Sequence, residues 1–303
     1  MKRIVLAIAL VVLFAVPAMA QNVDVTFNGD LIGTYFSMDS FSADEQFGLY
    51  SILDREYSNL SMTAKVGDNL AFTYRVGLDD FIDYAPYDYA PYTREAYVSL
   101  LNVAPALSEI KVGEFTFPFA AQQWLGYHKG FLVASATGTG VMLSGSFAPI
   151  NYNLAVTNEV DSLGWPSFLD TGEKPVWAKV SSDLGAVNAG LSYAKGKDLN
   201  AWGLNAAFDA GIVGVTAEYV VLQETGYDDV KLGFVGANVP VTGPLSVFAK
   251  YYLLDDGIDS LNAFAFGADY ALSDNAKIRV ENISDKDDIW TGDGLEAQLR
   301  VSF

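Results

Sequence analysis

No cysteine occurs anywhere in the chain, and there is one histidine, His128. Without thiols there is neither a disulfide framework nor a thiolate metal site. One imidazole excludes multi-histidine metal sites and argues against a histidine-based catalytic triad. Neither an enzyme nor a metal or cofactor is therefore expected. Arginine is also scarce, with five beyond Arg3. With 37 acidic against 18 basic residues the formal charge is −19, and such a chain does not bind nucleic acid through its phosphates. Past the first 20 residues no uninterrupted apolar run approaches the length of a membrane helix, although 51% of the residues are apolar. The apolar residues are distributed one by one.

The exception is the front end. Lys2 and Arg3 precede an apolar run from Ile4 to Val16, Pro17 breaks it, and Ala18-Met19-Ala20 is an A-x-A cleavage site. Residues 1–20 read as a signal peptide for export, leaving 21–303 as one domain. No cysteine follows the site, so the chain is not a lipid-anchored precursor. Removing Lys2 and Arg3 takes the formal charge from −19 to −21.

Period-two alternation fills the rest. Val213, Val215, Ala217, Tyr219 and Val221 alternate with Gly214, Thr216, Glu218 and Val220, and similar rows recur to the end of the chain. Short Gly/Asp/Asn/Pro connections alternate with longer, more acidic ones. The pattern predicts sixteen strands, at 22–37, 46–66, 70–80, 93–101, 108–115, 139–147, 150–158, 174–182, 186–195, 200–209, 212–222, 228–238, 244–254, 261–272, 276–283 and 294–303. A soluble two-sheet sandwich would also alternate. Sixteen strands without a domain linker count against it, as does a non-apolar face rich in Gly, Ser, Asn and Thr. Aromatics near strand ends, among them Tyr35, Tyr74, Phe147, Trp202, Tyr251 and Phe303, resemble the girdles of outer-membrane barrels. The expectation is an all-β, 16-stranded antiparallel up-and-down transmembrane β-barrel, which leaves no unpaired edge in lipid. The last strand, Leu295, Ala297, Leu299, Val301 and Phe303 in one row, must close on the first. It is similar to the C-terminal signal that barrel-assembly machinery recognises in Gram-negative-type outer membranes.

Residues Arg94 to Gln122, REAYVSLLNVAPALSEIKVGEFTFPFAAQ, resemble a strand pair of the phosphate- and carbohydrate-selective porin family. Thr139 to Asn158, TGVMLSGSFAPINYNLAVTN, is similar to the next hairpin of that family. The resemblance covers about a fifth of the chain and implies an outer-membrane porin passing small hydrophilic solutes and ions as a homotrimer surrounded by outer-membrane lipid. With five arginines, phosphate selectivity is not carried over.

If the apolar rows meet lipid, the other rows line a lumen. Parity then assigns the bases Lys65, Arg75, Lys111, Lys179, Lys231, Lys250, Lys277, Arg279 and Arg300. The acids are Asp24, Asp30, Asp79, Glu95, Glu109, Glu218, Asp269, Glu281 and Glu296. The wall is thus near neutral and the negative charge belongs to loops, for example Asp83, Asp88, Asp170, Asp256 and Asp288. A negative vestibule favours cations, so a mild cation preference is one reading. Solvated loops, bridged to anionic lipid by divalent ions, are the other. The third long loop, 116–138, is the least acidic. In general porins the third loop narrows the barrel, and here Phe117, Phe119, Trp124, Tyr127 and His128 would form that constriction, opposite wall residues such as Lys231, Lys250, Lys277 and Arg279. DYAPYDYAPY, Asp83 to Tyr92, offers Tyr84, Tyr87, Tyr89 and Tyr92 for stacking on sugar rings, or is a rigid Pro-containing loop. A saccharide- or anion-selective channel, a barrel enzyme and a plugged barrel are the competing functions.

Overall fold

A computed structural model describes residues 23–38, 46–48, 58–77, 92–120, 137–161, 174–196, 199–224, 228–255, 257, 260–284 and 293–303. All of its regular elements are strands: β1 (Val23–Met38), β2 (Gln46–Gly48), β3 (Asn59–Val66), β4 (Leu70–Gly77), β5 (Tyr92–Ala104), β6 (Leu107–Thr116), β7 (Thr137–Phe147), β8 (Ile150–Asp161), β9 (Val176–Asp183), β10 (Val187–Lys195), β11 (Leu199–Asp209), β12 (Gly214–Glu224), β13 (Val230–Thr242), β14 (Leu245–Asp255), β15 (Ser260–Ser273), β16 (Ala276–Ser284) and β17 (Gly294–Ser302). From β3 to β17 each strand pairs antiparallel with the next, and β1 pairs with both β17 and β3, so the sheet closes on itself. β2 and β3 pair with one edge of β1 and form one interrupted stave. Counted so, the barrel has sixteen staves, as the alternation predicts.

The interruption has a local solution. Thr34 is matched by Gly48 and Asp30 by Asn59, which leaves Ile32 between β2 and β3. Its N–H donates instead to Ser58 Oγ at 2.9 Å, and the hydroxyl turns back toward the Ile32 carbonyl at 3.4 Å. Ile32 and Ser58 are both fully buried. A side chain thus stands in for a missing rung where an unpaired backbone group would be costly.

Tight turns close one end. At 183–187 and 209–214 an Asp carboxylate accepts the N–H two residues on: Asp183 from Gly185 at 3.0 Å and Asp209 from Gly211 at 2.7 Å. Both glycines sit at positive φ, 82° and 78°, which side chains disfavour.

The seam joins the apolar last strand to the first. Gly29 N donates to the Phe303 carbonyl at 2.9 Å and Phe303 N donates to the Gly29 carbonyl at 3.0 Å, completing the β1–β17 ladder. Ser302 Oγ adds a bond to Asp30 Oδ1 at 2.6 Å. A Cβ on Gly29 would lie 2.7 Å from the Phe303 ring and 2.8 Å from Leu60, so this position admits no side chain unless both move.

The outer surface is apolar. Val25, Phe27, Leu31, Val112, Leu191, Leu204, Val235, Phe266 and Leu299 are all exposed, in every case on the same face of the sheet. In water this would be a large sticky surface; in hydrocarbon it is the favourable one. The interior is mixed. Ionic pairs share it with buried Phe115, Trp177, Leu232, Phe234, Tyr252, Leu254 and Ile283.

Candidate functional site

The inner rows carry charge, and several of the charges are paired. Arg279 donates to Asp269 through Nε at 2.6 Å and through Nη2 at 2.8 Å, a two-pronged contact. Lys277 reaches the same carboxylate at 3.5 Å. Lys250 donates to both oxygens of Glu281, at 2.9 and 3.0 Å, and Glu281 is almost wholly buried. Lys111 lies 3.7 Å from Glu109, and Arg300 lies 3.9 Å from Asp30. Glu281 and Glu296 face each other across β16 and β17, both buried, and Glu296 accepts from Gln298 at 2.9 Å.

Register puts Lys65, Arg75, Glu95, Lys111, Lys179, Glu218, Lys250, Asp269, Lys277, Arg279, Glu281 and Arg300 on inner rows. Lys65 is exposed at the turn end, while Glu218 is 3% exposed. Lys231 is a correction. It shares a row with Val235, which is 51% exposed, whereas Leu232 and Phe234 on the alternate row are buried inside. Its partner is Asp255 at 3.1 Å, directly across β14. Both rows of β13 are apolar, so period two gives no way to tell which one faces lipid. Asp79 lies outside the described residues, as do Tyr84, Tyr87 and Tyr89; Tyr92 begins β5. The loop acids Asp83, Asp88, Asp170, Asp256 and Asp288 are likewise outside them.

From the end of β6 the chain turns into the barrel. Glu95 Oε1 accepts from Thr116 N at 3.1 Å and Thr116 Oγ1 at 2.8 Å, which fixes the point of departure. Phe117 then stacks on Trp177 with centroids 4.3 Å apart and planes at 12°. Phe119 meets the same indole edge-on at 6.3 Å and 76°. Trp177 is oriented by its own Nε1–H, which donates to Thr157 Oγ1 at 3.0 Å. Ala120, at φ 53°, is held twice: its N–H donates to Ser192 Oγ at 2.9 Å and its carbonyl accepts from Lys179 Nζ. Phe117, Phe119, Ala120, Trp177 and Ser192 are at most 1% exposed. Residues 117–120 are therefore packed on the inner wall of β9 and β10. Trp124, Tyr127 and His128 lie outside the described residues. Trp177, Ser192 and Thr157 also belong to this site. Trp177 carried a signal, being in phase with Lys179 on an inner row, where so large an apolar surface needs a cover. Ser192 and Thr157 carried none.

On the inner wall where β17, β1, β3, β4 and β5 meet there is a recess of about 380 Å³. Asn28, Asp30, Asn59, Ser61, Thr73, Arg75, Glu95 and Ser302 line it, with Gly29 and Phe303 at its edge. β9 and β17 are eight staves apart on a circuit of sixteen, so the recess, which spans β17 to β5, runs from the wall opposite the docked segment 117–120 round to Glu95, which holds Thr116 at the start of that segment.

Known proteins carry this architecture. The family model described as Gram-negative porin matches residues 7–288. No curated protein matches the chain. Among solved structures, the anion-selective porin from Comamonas acidovorans is similar at 17% identity and a TM-score of 0.69, over 93% of this chain and 100% of that one. A triple mutant of the Rh. blastica porin is similar at 14% identity and 0.67, over 92% and 100%. The in-vitro folded trimer form of OmpT, an outer membrane protein of Vibrio cholerae, is similar at 13% identity and 0.64, over 93% and 100%. At these identities the likeness is one of fold.

Proposed function

The chain belongs to the Gram-negative porin family and forms an outer-membrane channel, and from that premise we propose passive diffusion of small hydrophilic solutes and ions through a water-filled lumen. The observation that carries this reading is the division of the closed sheet into an exposed apolar outer row and an inner row of paired charges. Barrels of about 16 strands are wide enough to leave an aqueous channel. Segment 117–120 supports a constriction by the third loop, to which Trp124, Tyr127 and His128 would add. Residues 1–20 serve as the export signal, and 21–303 insert as the barrel with the help of assembly machinery acting on the C-terminal strand.

Selectivity follows from charge. The described wall is close to neutral because its bases are matched by acids, while the whole chain carries −19. The excess negative charge therefore belongs largely to loops, and it raises cation concentration at the mouth over about 8–10 Å. The channel is thus mildly cation-preferring. The alternative, a saccharide- or phosphate-selective channel, would draw on Tyr84, Tyr87, Tyr89 and Tyr92. A homotrimer is supported by the trimer form of the Vibrio cholerae neighbour.

Swelling of liposomes that contain the purified protein tests the reading. Uptake should fall smoothly with solute size across neutral sugars and polyols. Uptake confined to one sugar, or saturating with it, would instead establish the selective channel. Zero-current potentials across a KCl gradient should have the sign of cation preference and shrink as salt rises.

A further inference from the structure

Arg75 and Glu95 are register partners on β4 and β5 and both face the lumen. Opposite charges placed directly across two strands ordinarily close into an ion pair. Here they do not. Arg75 Nε is drawn aside to Asn59 Oδ1 at 3.1 Å, and Glu95 Oε1 is drawn the other way to Thr116. Among the described residues the Nη groups of Arg75 and the Oε2 of Glu95 bond nothing further. A guanidinium fork and a carboxylate oxygen are thus held apart inside the recess of about 380 Å³, near the lower end of ligand-sized pockets. Asp30, on the far side of that recess, spends its Oδ1 on Ser302 and Arg300 and leaves Oδ2 similarly without a partner among the described residues.

We propose that this recess is a binding site for small zwitterions, the class of free α-amino acids. The carboxylate of such a solute meets the Nη donors of Arg75, the best-matched group for a planar two-oxygen anion. Its ammonium meets Glu95 Oε2, with Asp30 as the second acceptor. The two charges of an α-amino acid are close together, and Arg75 and Glu95 are register partners, whose Cα atoms lie about 5 Å apart. A simple anion would satisfy Arg75 but meet the two carboxylates; a simple cation would do the reverse. Hydroxyl and amide groups of Asn28 and Thr73 complete a polar lining for the solute's own side chain. The site lies on the inner wall beside the point where segment 117–120 leaves β6, so an occupant narrows the channel there. This inference rests on the porin reading.

The test is block of single-channel ion current by L-serine at low salt, with acetate and ethanolamine as probes of one charge each. Wild type should be blocked by serine in the millimolar range and much more weakly by either single-charge probe. Arg75→Gln and Glu95→Gln should each weaken the serine block about tenfold, the loss expected for one charged hydrogen-bonded contact. Heat-modifiable migration on gels checks that each variant is folded, and either variant alone suffices. Serine without effect on an open wild-type channel would overturn the site. Acetate blocking as well as serine, with Glu95→Gln unchanged, would overturn the zwitterion assignment. No conductance at all would instead defeat the porin reading. The recess would then be read by calorimetric titration of serine into the detergent-solubilised protein, where absence of heat overturns it and binding lost in Arg75→Gln supports it.

Discussion

A single hydroxyl maintains the wall where its second stave is broken. Ser58 accepts from Ile32 N–H where the ladder has no rung among the described residues, inside a fully buried site. Ser58→Ala should lower barrel stability by about 1–3 kcal/mol, the cost of a buried donor left unmade. Urea unfolding in detergent micelles or vesicles measures it. Lys250 is a second such residue. Glu281 is 1% exposed and accepts from that ammonium at 2.9 and 3.0 Å. Lys250→Met removes the countercharge of a buried carboxylate and should destabilise by about 3–5 kcal/mol, most of it recovered by adding Glu281→Leu. A double variant no better than the single one would mean that the carboxylate has support enough without Lys250. Lys231 behaves differently. Its pair with Asp255 lies on the outer rim and both side chains are over a third exposed. Lys231→Ala should leave the zero-current potential unchanged, whereas Arg279→Ala, on the inner row, should shift it further toward cations. Equal shifts would return Lys231 to the lumen.

At the scale of elements, the start of the third loop is the feature most tied to transport. Residues 117–120 are held by stacking on Trp177 and by hydrogen bonds to Ser192 and Lys179. Trp177→Ala removes the platform for both phenylalanines. It should raise single-channel conductance and widen the size limit in the swelling assay without changing the strand content seen by circular dichroism. An unchanged size limit would show that the pore is narrowed elsewhere. The same region shows how far the sequence could be read. The strands were legible because the outer rows of a lipid-facing wall must be apolar, and turn residues such as Asp183-Leu184-Gly185 mark where they reverse. The inward turn of Phe117 and Phe119 was visible as aromatic residues in a loop with little charge. Its receptor was not, because Ser192 and Thr157 are ordinary small polar residues in strands and only closure of the barrel brings them to the loop. β13 misled for a physical reason: Leu232 and Phe234 fill the interior while Val235 meets lipid, so hydrophobicity alternates with nothing. The break between β2 and β3 left no periodic trace, since Ser58 replaces a backbone rung with a side chain. The separation of Arg75 from Glu95 depends on Asn59 and Thr116, which parity had no reason to single out.

The whole molecule depends on one seam. Sixteen staves hold their backbone groups only if β17 meets β1, and the last rung is the reciprocal pair of hydrogen bonds between Phe303 and Gly29. Gly29→Val would set a branched side chain against the Phe303 ring, Leu60 and the Asn59 carbonyl, all within 3 Å of the first added carbon. Overpacking of this kind costs about 1–3 kcal/mol, and here it falls on the closing contact. The variant should give a smaller heat-modifiable fraction after refolding than wild type. Normal refolding yield would show that the terminal ring seats elsewhere. Closure is also what turns a ribbon with an oily face and a wet face into a pipe. The direct measurement is conductance of single molecules of the purified protein in planar lipid bilayers. A hydrocarbon-clad wall around water predicts discrete steps whose current rises linearly with voltage and scales with bulk salt. A protein that stays in solution without detergent, and adds no steps to the membrane at any salt, contradicts it.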